Sequence, residues 1–251
     1  NNFSMSFDGN NDFINSNSEI ELEGDFTIQG WWYKSTELDN IGEPDDHSIF
    51  WCIGDVQTGG LELYVGADET GNDVATKLYH NSNVLIYAED QNLGEWHFYS
   101  VIRESGELSL FIDGELMSTN SNFNSVISGE INIGQEIYNG TNTYSLYLNG
   151  FAHGFEIWDV AISEQQLTES FNCNSISFTE GLVLEWIFNN DSDSQLSDYY
   201  GNINGTINGA SWSEFVPEQS CVFCESSDAI SITFTSSGCT DQNACNYDAE
   251  A

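Results

Sequence analysis

The chain has 251 residues, with 41 Asp plus Glu against 3 Lys plus Arg and a formal charge of −38. Lys34, Lys77 and Arg103 cannot build the basic face that phosphate neutralisation requires, so a nucleic-acid partner is excluded, and anionic membrane surfaces would repel the chain. No apolar run reaches the roughly 20 residues needed for membrane insertion as a helix, and 39% hydrophobic with 14% aromatic content is too rich for a disordered acidic segment.

Short β-branched and aromatic runs recur between Gly, Asn and Asp clusters and predict strands at 26–33, 48–53, 61–65, 84–88, 96–103, 131–133 and 144–148. In the run from Glu107 to Ser118, Leu108, Leu110 and Ile112 alternate onto one face. Asp113-Gly114 follows, the pair that a type I′ hairpin turn needs at its two positive-φ positions. Ser163-Glu-Gln-Gln166 is a capping box that opens a short helix through about Phe171. The 27 Asn and 22 Gly, with only two Pro, suit turns and solvated strand faces. Many strands and one short helix predict an all-β, two-sheet antiparallel sandwich.

The six cysteines are unevenly placed. Cys52 and Cys173 stand alone, while Cys221, Cys224, Cys239 and Cys245 crowd the C-terminal end. An even count with other extracellular features reads as disulfides; a zinc site is the competing reading, although the spacing fits paired knuckles poorly. Composition shifts at Val216-Pro217, which predicts a domain at 1–216 followed by a Cys-rich extension at 217–251.

Several blocks in order resemble the laminin-G-like, concanavalin A-like jelly roll. They are Met5-Ser-Phe-Asp-Gly-Asn-Asn-Asp-Phe-Ile14, Phe26-Thr-Ile-Gln-Gly-Trp-Trp32, Trp96-His-Phe-Tyr-Ser-Val-Ile102 with Leu108-Ser-Leu-Phe-Ile-Asp-Gly114, and Asn149-Gly-Phe-Ala-His-Gly-Phe-Glu-Ile-Trp158. The segment from Gly181 to Trp212 also resembles this family, where it normally precedes the Ser-Phe-Asp-Gly block. Its position after the helix implies a circularly permuted jelly roll, with 181–212 returning into the same sandwich. A Cys173–Cys221 disulfide would clamp that return, because both cysteines flank it. The tail Gly238-Cys-Thr-Asp-Gln-Asn-Ala-Cys-Asn-Tyr-Asp248 resembles a Cys-rich motif near the ends of large secreted proteins of marine bacteria.

The resemblance implies sugar recognition by aromatic stacking with polar groups on rim loops. Tyr64, Tyr79, Tyr138, Asn139, Asn142 and Tyr144 are the expected ligand-binding residues. Each Tyr has an alternative role in packing. Many family members hold a structural Ca²⁺ through an Asp at the position of His153, a poor Ca²⁺ ligand. Other Ca²⁺ candidates are Asp8 and Asp12 in the opening turn and Asp241, Asn243 and Asp248 in the tail; all of them also suit turn chemistry.

Catalysis is not expected. Glu19-Ile-Glu-Leu-Glu23 puts three carboxylates on one strand face, and glycoside hydrolysis through Glu19, Glu21 and Glu23 is kept as an alternative. No Gly-x-Ser-x-Gly, His-Glu-x-x-His or phosphate-cradling loop occurs. The expectation is therefore a non-catalytic extracellular recognition or adhesion module with a glycan, cell-surface or matrix partner, and with calcium as a structural ion. The alternative is a self-assembling subunit of a fibre, sheath or surface layer.

Overall fold

The computed structural model describes residues 3–35, 47–67, 74–89, 92–140, 146–173, 178–188, 194–201 and 203–219. Period-two alternation dominates it. In β5 (Leu61–Ala67), Leu61, Leu63 and Val65 enter the core while Glu62 and Tyr64 point the other way. In β3 (Phe26–Lys34), Phe26, Ile28 and Trp32 enter the core, and Trp31 packs on the opposite face.

Two antiparallel eight-stranded sheets face one another across that core. The first contains β1 (Ser4–Asp8), β3, β8 (Trp96–Glu104), β9 (Glu107–Ile112), β10 (Glu115–Ser121), β12 (Asn149–Trp158), β13 (Leu182–Trp186) and β16 (Ser211–Ser213). The second contains β2 (Phe13–Leu22), β4 (His47–Ile53), β5, β6 (Val74–His80), β7 (Asn83–Glu89), β11 (Ile127–Ile133), β14 (Gln195–Leu196) and β15 (Gly205–Asn208). The fold is the all-β antiparallel sandwich expected from the sequence, with one short helix among the described residues, α1 (Glu164–Asn172).

The local signals form as their chemistry dictates. Asp113 and Gly114 take φ of 53° and 80° between β9 and β10. The Ser163 hydroxyl accepts from the Gln166 amide, and the Gln166 side chain accepts from the Ser163 amide at 2.9 Å. Helix α1 lies on the outer face of the first sheet, where Leu167 and Phe171 pack with Trp31, Phe98, Ile102 and Trp158.

Strands β13, β14, β15 and β16 pair into both sheets. Strand β13 adds to β12 through Phe155↔Trp186 and Ile157↔Leu184, β15 adds to β2, and β16 adds to β1 through Met5↔Trp212. Trp186 is fully buried and donates from Nε1 to the Ile203 carbonyl at 2.7 Å.

One expectation changes. The strand expected at 144–148 is, within its described part, one bridge between Gln135 and Tyr147. Glu19 and Glu21 stand in β2 opposite Glu130 and Ser128 of β11. The hydrophobic alternation of Ile20 and Leu22, both buried, draws that run into the sheet. Glu19, Glu21 and Glu23 are all exposed.

Candidate functional site: a tyrosine and glutamate cleft on the second sheet

The outer face of the second sheet carries a small apolar cluster of Ile49, Cys52, Val56 and Tyr64, with Tyr79, Ile137, Tyr138 and Leu146 packed against it. Above it opens a cleft of about 200 Å³, lined by His47, Glu62, Tyr64, Tyr79, Glu136, Tyr138 and Leu146. Strand register assembles one wall. Glu62 lies opposite Cys52 on β4 and opposite Tyr79 on β6, and Tyr64 lies opposite Ile49 and Lys77. The Tyr64 and Tyr79 rings meet edge to face with centroids 6.4 Å apart, and the His47 ring sits 4.5 Å from that of Tyr64.

The other wall is a clamped loop. The Gly54 amide donates to the Glu130 carbonyl at 3.0 Å, and the Val56 amide donates to the Ile137 carbonyl at 3.1 Å. The Asp55 carboxylate accepts from the Gln57 and Gly140 amides at 2.9 and 2.6 Å. These bonds fix the segment bearing Glu136 and Tyr138 against the turn that follows β4. Gly54 is required there. Its φ is +70°, and an added Cβ would stand 2.1 Å from the Ser128 carbonyl oxygen.

The electrostatics are unusual. Glu62 and Glu136 are only 3% and 5% exposed, and each has an Oε2 without a hydrogen-bond partner among the described residues. Burial, then the charge of Glu136, pushes the Glu62 carboxyl well above the ordinary carboxylate range. Burial, then the charge of Asp55, pushes Glu136 up to about 7. Tyr64 and Tyr79 are raised by burial first and by the same carboxylates after it. The arrangement offers stacking faces for a ring and acceptors for its hydroxyl or amino hydrogens.

Three expected ligand residues, Tyr64, Tyr79 and Tyr138, thus converge on one cleft. Asn139 is exposed beside it at φ 50° in the turn with Gly140, and Asn142 and Tyr144 lie outside the described residues. Glu62 and Glu136 escaped the sequence reading. Glu62 had a signal, since Leu61-Glu-Leu-Tyr-Val65 puts it on the same strand face as Tyr64.

Of the calcium candidates, Asp8 and Asp12 bond within their turn. Asp8 Oδ1 accepts from the Asn10 amide, and Asp12 Oδ2 accepts from the Asp8 amide, both at 2.9 Å. His153 is buried against Phe188, with Nδ1 2.6 Å from the Phe3 carbonyl oxygen. Among the described residues no group of three or more His, Cys, Asp or Glu could hold a metal. Asp241, Asn243 and Asp248 lie outside the described residues. Cys52 is a free, buried thiol, and Cys173 is disulfide-bonded; Cys221 also lies outside the described residues.

A second, smaller cleft of about 70 Å³ opens on the first sheet beside α1, between Trp31, His153, Glu156, Glu185 and Trp186. Its Glu156 is bonded from within the sheet. Ser100 Oγ donates to Gln29 Oε1 at 3.3 Å, and Gln29 Nε2 donates to Glu156 Oε2 at 2.9 Å.

A family model for the concanavalin A-like lectin/glucanases superfamily matches residues 8–168. The chain belongs to that superfamily. Among solved structures, a candidate carbohydrate-binding protein from Bacteroides ovatus superposes with a TM-score of 0.66 at 17% identity, over 88% of this chain and 62% of that one. This chain therefore spans less than two thirds of the Bacteroides protein's length. A heptameric SAP-like pentraxin from Limulus polyphemus superposes with a TM-score of 0.59 at 18% identity, over 82% of this chain and 95% of that one. At such identities the likeness shows a shared fold alone. No curated protein matches the chain.

Proposed function

We propose that this superfamily member is a non-catalytic, extracellular glycan-recognition module whose sugar sits in the Tyr64–Tyr79–Tyr138 cleft. The carrying observation is that strand register and one clamped loop bring three tyrosines and two buried carboxylates to a single opening. A pyranose presents an apolar face to aromatic rings and hydroxyls to acceptors at its edge, and this cleft holds both kinds of group. The Bacteroides relative's carbohydrate-binding description supports the same ligand class. A disulfide at Cys173 supports an oxidising setting.

Recognition is favoured over hydrolysis by the placement of the carboxylate run that the sequence offered for catalysis. Glu19, Glu21 and Glu23 stand exposed on or beyond β2.

A glycan array probed with the wild-type protein and with Tyr79→Ala tests the reading. Tyr79 is half-buried at the cleft, so its truncation leaves the main core intact. The expected result is a set of wild-type hits that weaken by about tenfold or more in the variant, the loss of one stacking ring. Undiminished hits in Tyr79→Ala would remove the sugar from this cleft.

A further inference from the structure

Among the described residues, two cleft carboxylate oxygens lack a donor: Glu62 Oε2 and Glu136 Oε2 are buried and have no hydrogen-bond partner. A buried acceptor without a donor is costly, and a buried carboxylate more so. The charges that act on them are also negative: Glu136 on Glu62, and Asp55 on Glu136. The nearby cation, Lys77, lies over aromatic rings, its Nζ 5.8 Å from the centroids of both Tyr64 and Tyr87.

The walls beside these carboxylates are aromatic. Tyrosine faces attract cations through the ring quadrupole, most strongly where water is excluded, and ionised acceptors form their strongest hydrogen bonds with charged donors. Burial keeps these two carboxyls protonated to higher pH than ordinary ones; a neutral hydroxyl would leave them so, whereas a bound cation would draw them into the ionised form. An acidic sugar would meet two carboxylates in a chain of formal charge −38. An ammonium group satisfies donors, charge and ring faces together.

Resting on the reading of this cleft as a sugar site, we propose that its ligand is an amino sugar with a free, protonated amine, the ammonium group seated between Glu62 and Glu136 against the tyrosine rings. The test is a calorimetric titration near neutral pH with three β-1,4-linked disaccharides that differ only at C2: glucosamine, N-acetylglucosamine and glucose units. The free amine should bind at least about tenfold more tightly than either neutral form. Glu62→Gln and Glu136→Gln keep the shape and remove the charge, and each should abolish that preference. If a variant fails to fold, the wild-type series decides alone. Equal affinities for the three sugars would overturn the proposal and leave the glycan cleft standing. Binding of none of them would overturn it too, and array hits lost in Tyr79→Ala would still uphold the broader reading. An amine preference that survives in both Gln variants would place the ammonium group elsewhere.

Discussion

Single residues carry the pH response of this protein. Glu136 and Glu156 are both held up to about 7, each by burial first; the charge of Asp55 adds to the shift at Glu136, and that of Glu185 at Glu156, where the Gln29 hydrogen bond opposes it. In the unfolded chain these carboxyls would ionise in the ordinary carboxylate range. The folded state therefore keeps protons that the unfolded state has released, and stability falls as pH rises through that window. The thermal midpoint should drop between about pH 5 and about pH 8, and Glu136→Gln and Glu156→Gln should each flatten that slope in scanning calorimetry. General repulsion among 41 acidic side chains acts in the same direction. The comparison with the Gln variants isolates the buried groups, and an unchanged slope in both would contradict their assignment.

At the level of elements, local chemistry was readable and long-range pairing was not. The Asp113-Gly114 turn and the Ser163 capping box each depend on a few neighbouring residues, and both form. Strand β6 went unread because Val-Ala-Thr-Lys-Leu-Tyr-His mixes charge with apolar residues; pairing with β5 and β7 on its two sides makes it a strand. Strand β11 reaches back to Ile127 through Ser128-Gly-Glu130, poor strand formers, because β2 supplies a partner there. The site obeys the same division. Tyr64 and Tyr79 were visible as residue types, but their meeting follows from the β5–β6 register, and the burial of Glu136 follows from the clamped loop. The returning strands depend on one large side chain above others. Trp186 is buried against Phe155, with ring centroids 5.8 Å apart, and its indole bonds the Ile203 carbonyl. Trp186→Ala should cost about 3–5 kcal/mol in denaturant unfolding; a loss below about 1 kcal/mol would mean that β13 contributes little to the sandwich.

For the whole molecule, the two sheets have different outer faces. Helix α1 and its aromatic neighbours cover part of the first sheet, whereas the second presents the tyrosine and glutamate cleft. A rival aromatic platform does exist on the first sheet, where Tyr33, Trp96 and Phe151 surround Phe215 with centroids 5.0, 5.5 and 5.1 Å from it. It lacks the tyrosine cleft's pair of buried carboxylates, which have unpartnered oxygens among the described residues. The charge of −38 excludes nucleic acid, and at the cleft it becomes specific: two carboxyls face a space sized for a small ring. The most direct measurement is a crystal structure of the protein soaked with its strongest array ligand. The account predicts density for a sugar ring stacked on the Tyr64, Tyr79 and Tyr138 wall, within hydrogen-bond distance of Glu62 or Glu136. A sugar seated on the Phe215 platform, with the cleft unchanged, would contradict it.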